Sequence, residues 1–255
     1  MKYYGALYPS LKGKTALVTG GGTGIGEAIV RHFAGQGTKV GFIDIRDAES
    51  RALAKSLTRR RQKVHFEKAD LTDIPATRRA VAAIRKALGP ITILVNNAAH
   101  DERHTIEDLT PEYFDERIAV NLKHHFFCIQ AVLPDMKKAG GGTIVNMGSV
   151  TWMLGFSGLP VYSAAKAGVL GMTRGLAREL GQYNIRLNSI APGWIMTERQ
   201  QNLWLTPERE VQLLKDQTVK RKLYPDDIAR LVLFFASDES GAVANQNIVA
   251  DGGWL

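Results

Sequence analysis

One cysteine, Cys128, stands among 255 residues, so no disulfide can form within the chain. No apolar run approaches the roughly 20 residues that cross a bilayer. The opening, Met1 to Ser10, holds aromatics but no continuous apolar stretch, which argues against a secretory leader. Internal repeats, low-complexity tracts and linkers are missing too. A cytoplasmic protein made of one unit, residues 1–255, is the expectation. No metal motif stands out. His100 and His104 flank a loop of mixed charge rather than forming H-E-x-x-H on a helix, and the adjacent His124 and His125 are expected to diverge on a helix. Cys128 lies among Phe126, Phe127 and Ile129 and reads as a small buried apolar residue. The excess of 33 basic over 25 acidic residues gives a net charge of +8. Its densest run, Arg59-Arg60-Arg61, falls at an expected helix end, where cations suit the dipole. Aromatics do not interleave with basic residues as a base-stacking surface requires, so no nucleic-acid partner is expected.

Strand-like apolar runs alternate with helical patterns, which implies βαβ units. The fold class expected is α/β: a single-domain Rossmann fold, a doubly wound parallel sheet with helices on both faces. Thr110-Pro111 and Thr206-Pro207 read as helix starts, threonine capping and proline opening the first turn. The first strand, Thr15-Ala16-Leu17-Val18, runs into Thr19-Gly20-Gly21-Gly22-Thr23-Gly24-Ile25-Gly26, and a helical pattern follows from Glu27. A glycine string alone can be only a flexible turn. With a strand before it and a helix after it, it fits a phosphate cradle, because free N–H groups and the positive dipole end meet the anion there. The next strand, Lys39 to Ile43, ends at Asp44, where a carboxylate can accept the hydroxyls of an adenosine ribose. That charge would repel a 2′-phosphate, which favours NAD over NADP, and the nearby Arg46 tempers the preference. The bland alternative is that Asp44 only ends a strand.

Tyr162 and Lys166 stand four residues apart, on one face of a helix. A free phenol, with a pKa of about 10, is a poor base at neutral pH. An ammonium one turn away is expected to lower that value and make the pair a general acid/base for a hydroxyl proton. Asn121 falls inside an expected helix, where asparagine is a poor choice.

These motifs, taken in order, resemble the short-chain dehydrogenase/reductase family, and the resemblance covers nearly the whole chain. The glycine motif matches Thr19 to Gly26, with Gly20, Thr23, Gly24, Ile25 and Gly26 as cofactor contacts. Asp70 and Leu71 match the adenine-contacting segment, and Asn96-Asn97-Ala98-Ala99 matches N-N-A-G with alanine in the last place. Asn121, Ser149, Tyr162 and Lys166 match the catalytic tetrad. Pro192-Gly193-Trp194-Ile195-Met196-Thr197 matches P-G-x-x-x-T. The resemblance implies that Tyr162 takes the hydroxyl proton, that Lys166 also bonds the nicotinamide ribose, and that Ser149 bonds the developing oxyanion. It implies that Asn121 holds a relay water and that Thr197 fixes the nicotinamide face. The cofactor set it implies is completed by Asp44, Arg46, Asn97, Ala98, Pro192, Gly193 and Ile195.

Three segments are candidates for reading the substrate: Ala99 to His104, Val150 to Gly155, and Trp194 to Trp204. They mix carboxylates, a guanidinium, amides and tryptophans, which suits the hydroxyls and C–H faces of a sugar better than an acyl chain. Asn97 to His104, Ser149 to Trp152, Thr197 to Gln200 and the opening Tyr8 to Lys14 are similar to the bacterial aldose 1-dehydrogenase branch. That similarity implies oxidation of the C1 hydroxyl of a cyclic aldose to a lactone with NAD. His100, Asp101, Glu102, Arg103, Ser149, Thr151, Trp152, Tyr162, Trp194 and Arg199 are the expected substrate contacts. A 3-oxoacyl-thioester or general ketone reductase, and a non-catalytic NAD-binding protein, remain the alternatives. A homotetramer is the family expectation, with Phe126, Phe127, Gly168 and Gly171 suited to close packing.

Overall fold

A computed structural model describes residues 5–255. Residues 1–4, part of the opening read above as lacking a leader, lie outside it. Seven strands form one sheet in the order β3-β2-β1-β4-β5-β6-β7. They are β1 (Thr15–Thr19), β2 (Lys39–Asp44), β3 (Val64–Lys68), β4 (Ile93–Asn96), β5 (Gly142–Met147), β6 (Ile185–Pro192) and β7 (Asn247–Ala250). Every pairing is parallel.

The period of two along β1 explains the layers. Ala16 and Val18 point into one core with Ile29 and Phe33 of α1 (Gly24–Gly35), Leu53 of α2 (Asp47–Thr58) and Val232 of α10 (Pro225–Ala236). Leu17 points the other way, to a second core with Ile84 of α3 (Ile74–Leu88), Val132 of α5 (His124–Lys138) and Leu180 of α7 (Pro160–Gly181). Both faces are therefore covered by helices, and the central strands are apolar without alternation. This is the doubly wound sheet expected from the sequence.

Strand order reverses between β1 and β4, so the loops leaving those strands part and open a crevice at the carboxyl edge. α4 (Pro111–Ile118), the small α6 (Thr151–Leu154), α8 (Glu198–Leu203) and α9 (Pro207–Asp216) complete the chain, and α8 and α9 overhang that edge. Thr110 and Thr206 cap α4 and α9 with their hydroxyls, as their Thr-Pro pairs imply. No helix among the described residues is long and apolar enough to cross a membrane.

Candidate active site

The crevice is a cleft of about 1850 Å³ running from Asp44 to Trp254. At one end β1 turns into α1 through the glycines. Gly20 has a φ of +63°, and a Cβ there would sit 2.7 Å from the Ala98 Cα. A Cβ on Gly26 would sit 1.8 Å from the Gly20 carbonyl oxygen, so only glycine allows this close turn. Asn97 locks the turn from the neighbouring strand, its amide donating to the Thr19 and Gly20 carbonyls at 3.0 Å each. Thr23 precedes α1 without capping it by its side chain, and Gly24, Ile25 and Gly26 line the cleft. The first turn thus presents N–H groups and a positive dipole end to the cleft, which fits a pyrophosphate.

Asp44 ends β2 at the cleft wall. Its carboxylate accepts the Gly22 N–H at 2.8 Å and the Arg46 N–H at 2.9 Å, which holds it in place. The Arg46 guanidinium is engaged by Glu49 at 3.0 Å. Asp70, Leu71, Ala98, Pro192, Gly193, Ile195 and Thr197 all line the same cleft. These residues fit a dinucleotide along the strand ends.

At the far end lie Ser149, after β5, and Tyr162 and Lys166, in the first turns of α7. Lys166 is 1% exposed and donates to the Met147 carbonyl at 2.8 Å, with its Nζ 5.7 Å from the Tyr162 ring centroid. Burial lowers the Lys166 pKa to about 7, against an opposing pull from Asp101. Burial raises that of Tyr162, Asp101 raises it further, and a hydrogen bond with Ser149 lowers it. The lowering of the phenol expected from Lys166 does not prevail here, because desolvation of the phenolate outweighs it.

Asn121 is completely buried, within a π-helical turn (Ala119–Lys123) between α4 and α5. The wide turn lets its side chain bond across to the β4 loop. It accepts the His100 N–H at 2.9 Å and donates to the His100 and Arg117 carbonyls at 3.1 and 2.9 Å. Behind it, Asn96 donates to Asn146 at 2.9 Å and Asn146 donates to Thr173 at 3.0 Å, tying β4, β5 and α7 together.

The model of the short chain dehydrogenase family matches residues 14–208. The chain is a short-chain dehydrogenase. It is 46% identical over 249 residues to D-xylose 1-dehydrogenase of Caulobacter vibrioides (strain NA1000 / CB15N), with 98% of each chain covered. It is 46% identical over 247 residues to the "Probable galactose dehydrogenase" of Rhizobium meliloti (strain 1021), with 96% of each covered. A solved variant of a short-chain dehydrogenase/reductase from Serratia marcescens superposes with a TM-score of 0.88 at 33% identity, covering 96% of this chain and 99% of that one. The dehydrogenase is therefore an oxidoreductase of CH–OH groups that uses a nicotinamide cofactor.

The substrate segments of the dehydrogenase converge only in part. Asp101 accepts from Arg199 Nε at 3.2 Å and from Gln200 Nε2 at 2.5 Å, while Gln200 accepts the Trp194 indole N–H at 2.9 Å. The Arg103 guanidinium lies 4.0 Å from the Trp204 ring centroid. Two clasps thus join the β4 loop to both ends of α8. Ser149, Thr151, His100 and Trp194 also line the cleft, but Glu102 and Trp152 do not. Trp152 turns away because α6 is a single helical turn that can direct only one side towards the cleft, and Thr151 takes it. Gln200, Arg117, Phe156 and Trp254 line the cleft without having been singled out. Gln200 had a signal in the segment after Thr197; Phe156 and Trp254, packed at 5.3 Å, had none. His124 and His125 do not diverge. Both rings are wholly buried, and with no solvent to turn towards they pack edge to face at 4.4 Å. Burial and the Lys166 charge hold both neutral, His124 with a pKa lowered to about 3.

Proposed function

We propose that this dehydrogenase oxidises the C1 hydroxyl of a cyclic aldose to the lactone with NAD. The observation that carries the reading is the wall beside Tyr162: His100, Asp101, Trp194, Arg199 and Gln200 offer donors, acceptors and an indole face. The likeness to sugar dehydrogenases over nearly the full length supports it. Bound NAD supplies the hydride acceptor. Tyr162 takes the hydroxyl proton as the C1–H bond breaks, and its place in the first turn of α7 puts the phenolate at the positive dipole end. Ser149 donates to the reacting oxygen. Lys166 passes the proton on towards solvent through water, and the Asn121 amide, bonded to the His100 N–H and carbonyl, holds the β4 loop in place beside that route. Thr197, whose oxygen caps α8, keeps its hydroxyl hydrogen for the nicotinamide amide. Asp44 selects NAD by repelling a 2′-phosphate, and that same charge argues against an NADPH-dependent reductase. The active form is a homotetramer built on α4, α5, α7 and the C-terminal segment.

The test is NADH formation with L-arabinose, D-galactose, L-fucose, D-xylose and D-glucose, with NADP in parallel. Turnover of one or two sugars with NAD supports the reading; silence on all, with NADPH-dependent reduction of ketones or acyl thioesters, overturns it. Tyr162→Phe is expected to remove nearly all turnover while NADH still quenches protein fluorescence on binding.

A further inference from the structure

Arg117 is a permanent cation that is 3% exposed, in the last turn of α4, and none of the roles above uses it. Its guanidinium touches the Glu116 carboxylate, lies 5.0 Å from the Tyr113 ring centroid and comes within 3.7 Å of Glu102. Its remaining close partner is Nδ1 of the His100 imidazole. A guanidinium has only N–H donors, so Nδ1 must accept. The ring is then neutral, with its single proton on Nε2. Nε2 has Glu102 at 3.7 Å, beyond hydrogen-bond reach, and His100 lines the cleft. The Asn121 amide holds both the N–H and the carbonyl of His100, which fixes the backbone from which the ring projects, and Arg117 holds the ring itself.

We propose that Arg117 is a positioning residue that fixes His100 as a neutral Nε2–H donor, with which His100 grips a substrate oxygen. That the oxygen belongs to an aldose rests on the function proposed above; the tautomer does not. His100 then accepts no proton through Nε2, so the base work stays with Tyr162. A substrate presenting an ammonium in place of that oxygen is refused. The electrostatics agree. Burial lowers the His100 pKa first, the charges of Arg117 and of Arg199 on α8 lower it further, and Glu102 and Asp101 on its own loop oppose them. Glu116 and Tyr113 touch Arg117 rather than the ring.

The direct test is a nitrogen NMR spectrum of the whole enzyme labelled with ¹⁵N-histidine, with His100 assigned by loss of its signals in His100→Asn. A protonated Nε2 and a bare Nδ1 at neutral pH are expected; a charged ring or a proton on Nδ1 overturns the proposal. Kinetics test the consequence. His100→Leu should raise KM for the preferred sugar about tenfold or more, with KM for NAD unchanged; an unchanged sugar KM overturns the donor role. Arg117→Met removes one of the charges that oppose protonation of the ring, so the ring should take its proton at higher pH than in the wild type and sugar KM should rise more as pH falls. Arg117→Lys, which still donates, should restore most of the wild-type profile, and a flat profile in Arg117→Met overturns the positioning role. If no aldose turns over yet the spectrum shows the Nε2–H tautomer, the sugar reading fails and the His100 assignment stands.

Discussion

Asp44 and Lys166 are polar groups that the fold holds out of water for function. Asp44 is 8% exposed, and two backbone N–H groups donate to its carboxylate. Removing that charge removes the repulsion of a 2′-phosphate. Asp44→Ala is expected to lower the preference for NAD over NADP, as a ratio of kcat/KM, by about 10- to 100-fold. Lys166 has a folded pKa of about 7, far below its usual value of 10.5, because burial penalises the ammonium. Below pH 7 the folded and unfolded chains both hold the proton and the penalty is complete. Between about 7 and 10.5 the unfolded chain binds more protons, so this group makes stability rise with pH. Lys166→Met should raise Tm at neutral pH, on the order of 5 °C, and calorimetry at rising pH should show the gain shrinking. Ser149, Tyr162 and Lys166, which the fold gathers in the cleft, could be picked out because each sits in a short linear motif. The pairing of Arg117 with His100 could not. Nothing in the spacing of 17 residues says that one guanidinium will meet one ring nitrogen.

α8 has six residues and none of them is buried, so its own packing cannot hold it over the cleft. Its position depends on the β4 loop, through Asp101 on Arg199 and Gln200 and through Arg103 on Trp204. Asp101 was expected from the sequence to touch substrate. Each of its oxygens also accepts a hydrogen bond from the helix, across 98 and 99 residues of chain, a distance at which sequence patterns carry no register. Asp101→Ala is expected to raise sugar KM about tenfold and to speed proteolysis within residues 198–204; an unchanged cleavage rate would show that the clasp does not hold the helix. Strands and helix caps were readable because period and Thr-Pro chemistry are local. The edge-to-face packing of His124 on His125 was not, because a π-turn resets the helix just before it.

At the scale of the whole molecule the doubly wound parallel sheet follows from apolar strands alternating with amphipathic helices, and that class was legible, whereas the order of the strands within the sheet was not read. Which helix faces meet other subunits was not, since an apolar residue serves a core and an interface alike. Phe126 is 43% exposed beside Phe127, and a Cβ on Gly171 would touch nothing within 4 Å. These lie on the surface proposed above for the tetramer. Phe126→Glu should shift the sedimenting species to lower mass, and an unchanged mass would remove α5 from the interface.

The sheet order also sets a timetable for the growing chain. Strands β3, β2 and β1 come from residues 15–68, so one edge of the sheet can assemble while the rest is still unmade. The glycine turn is present by then but has no lock, since the amide of Asn97 that binds Thr19 and Gly20 is synthesised later. A nascent chain released before that point would expose one side of β1, where β4 belongs, and would be a target for chaperones.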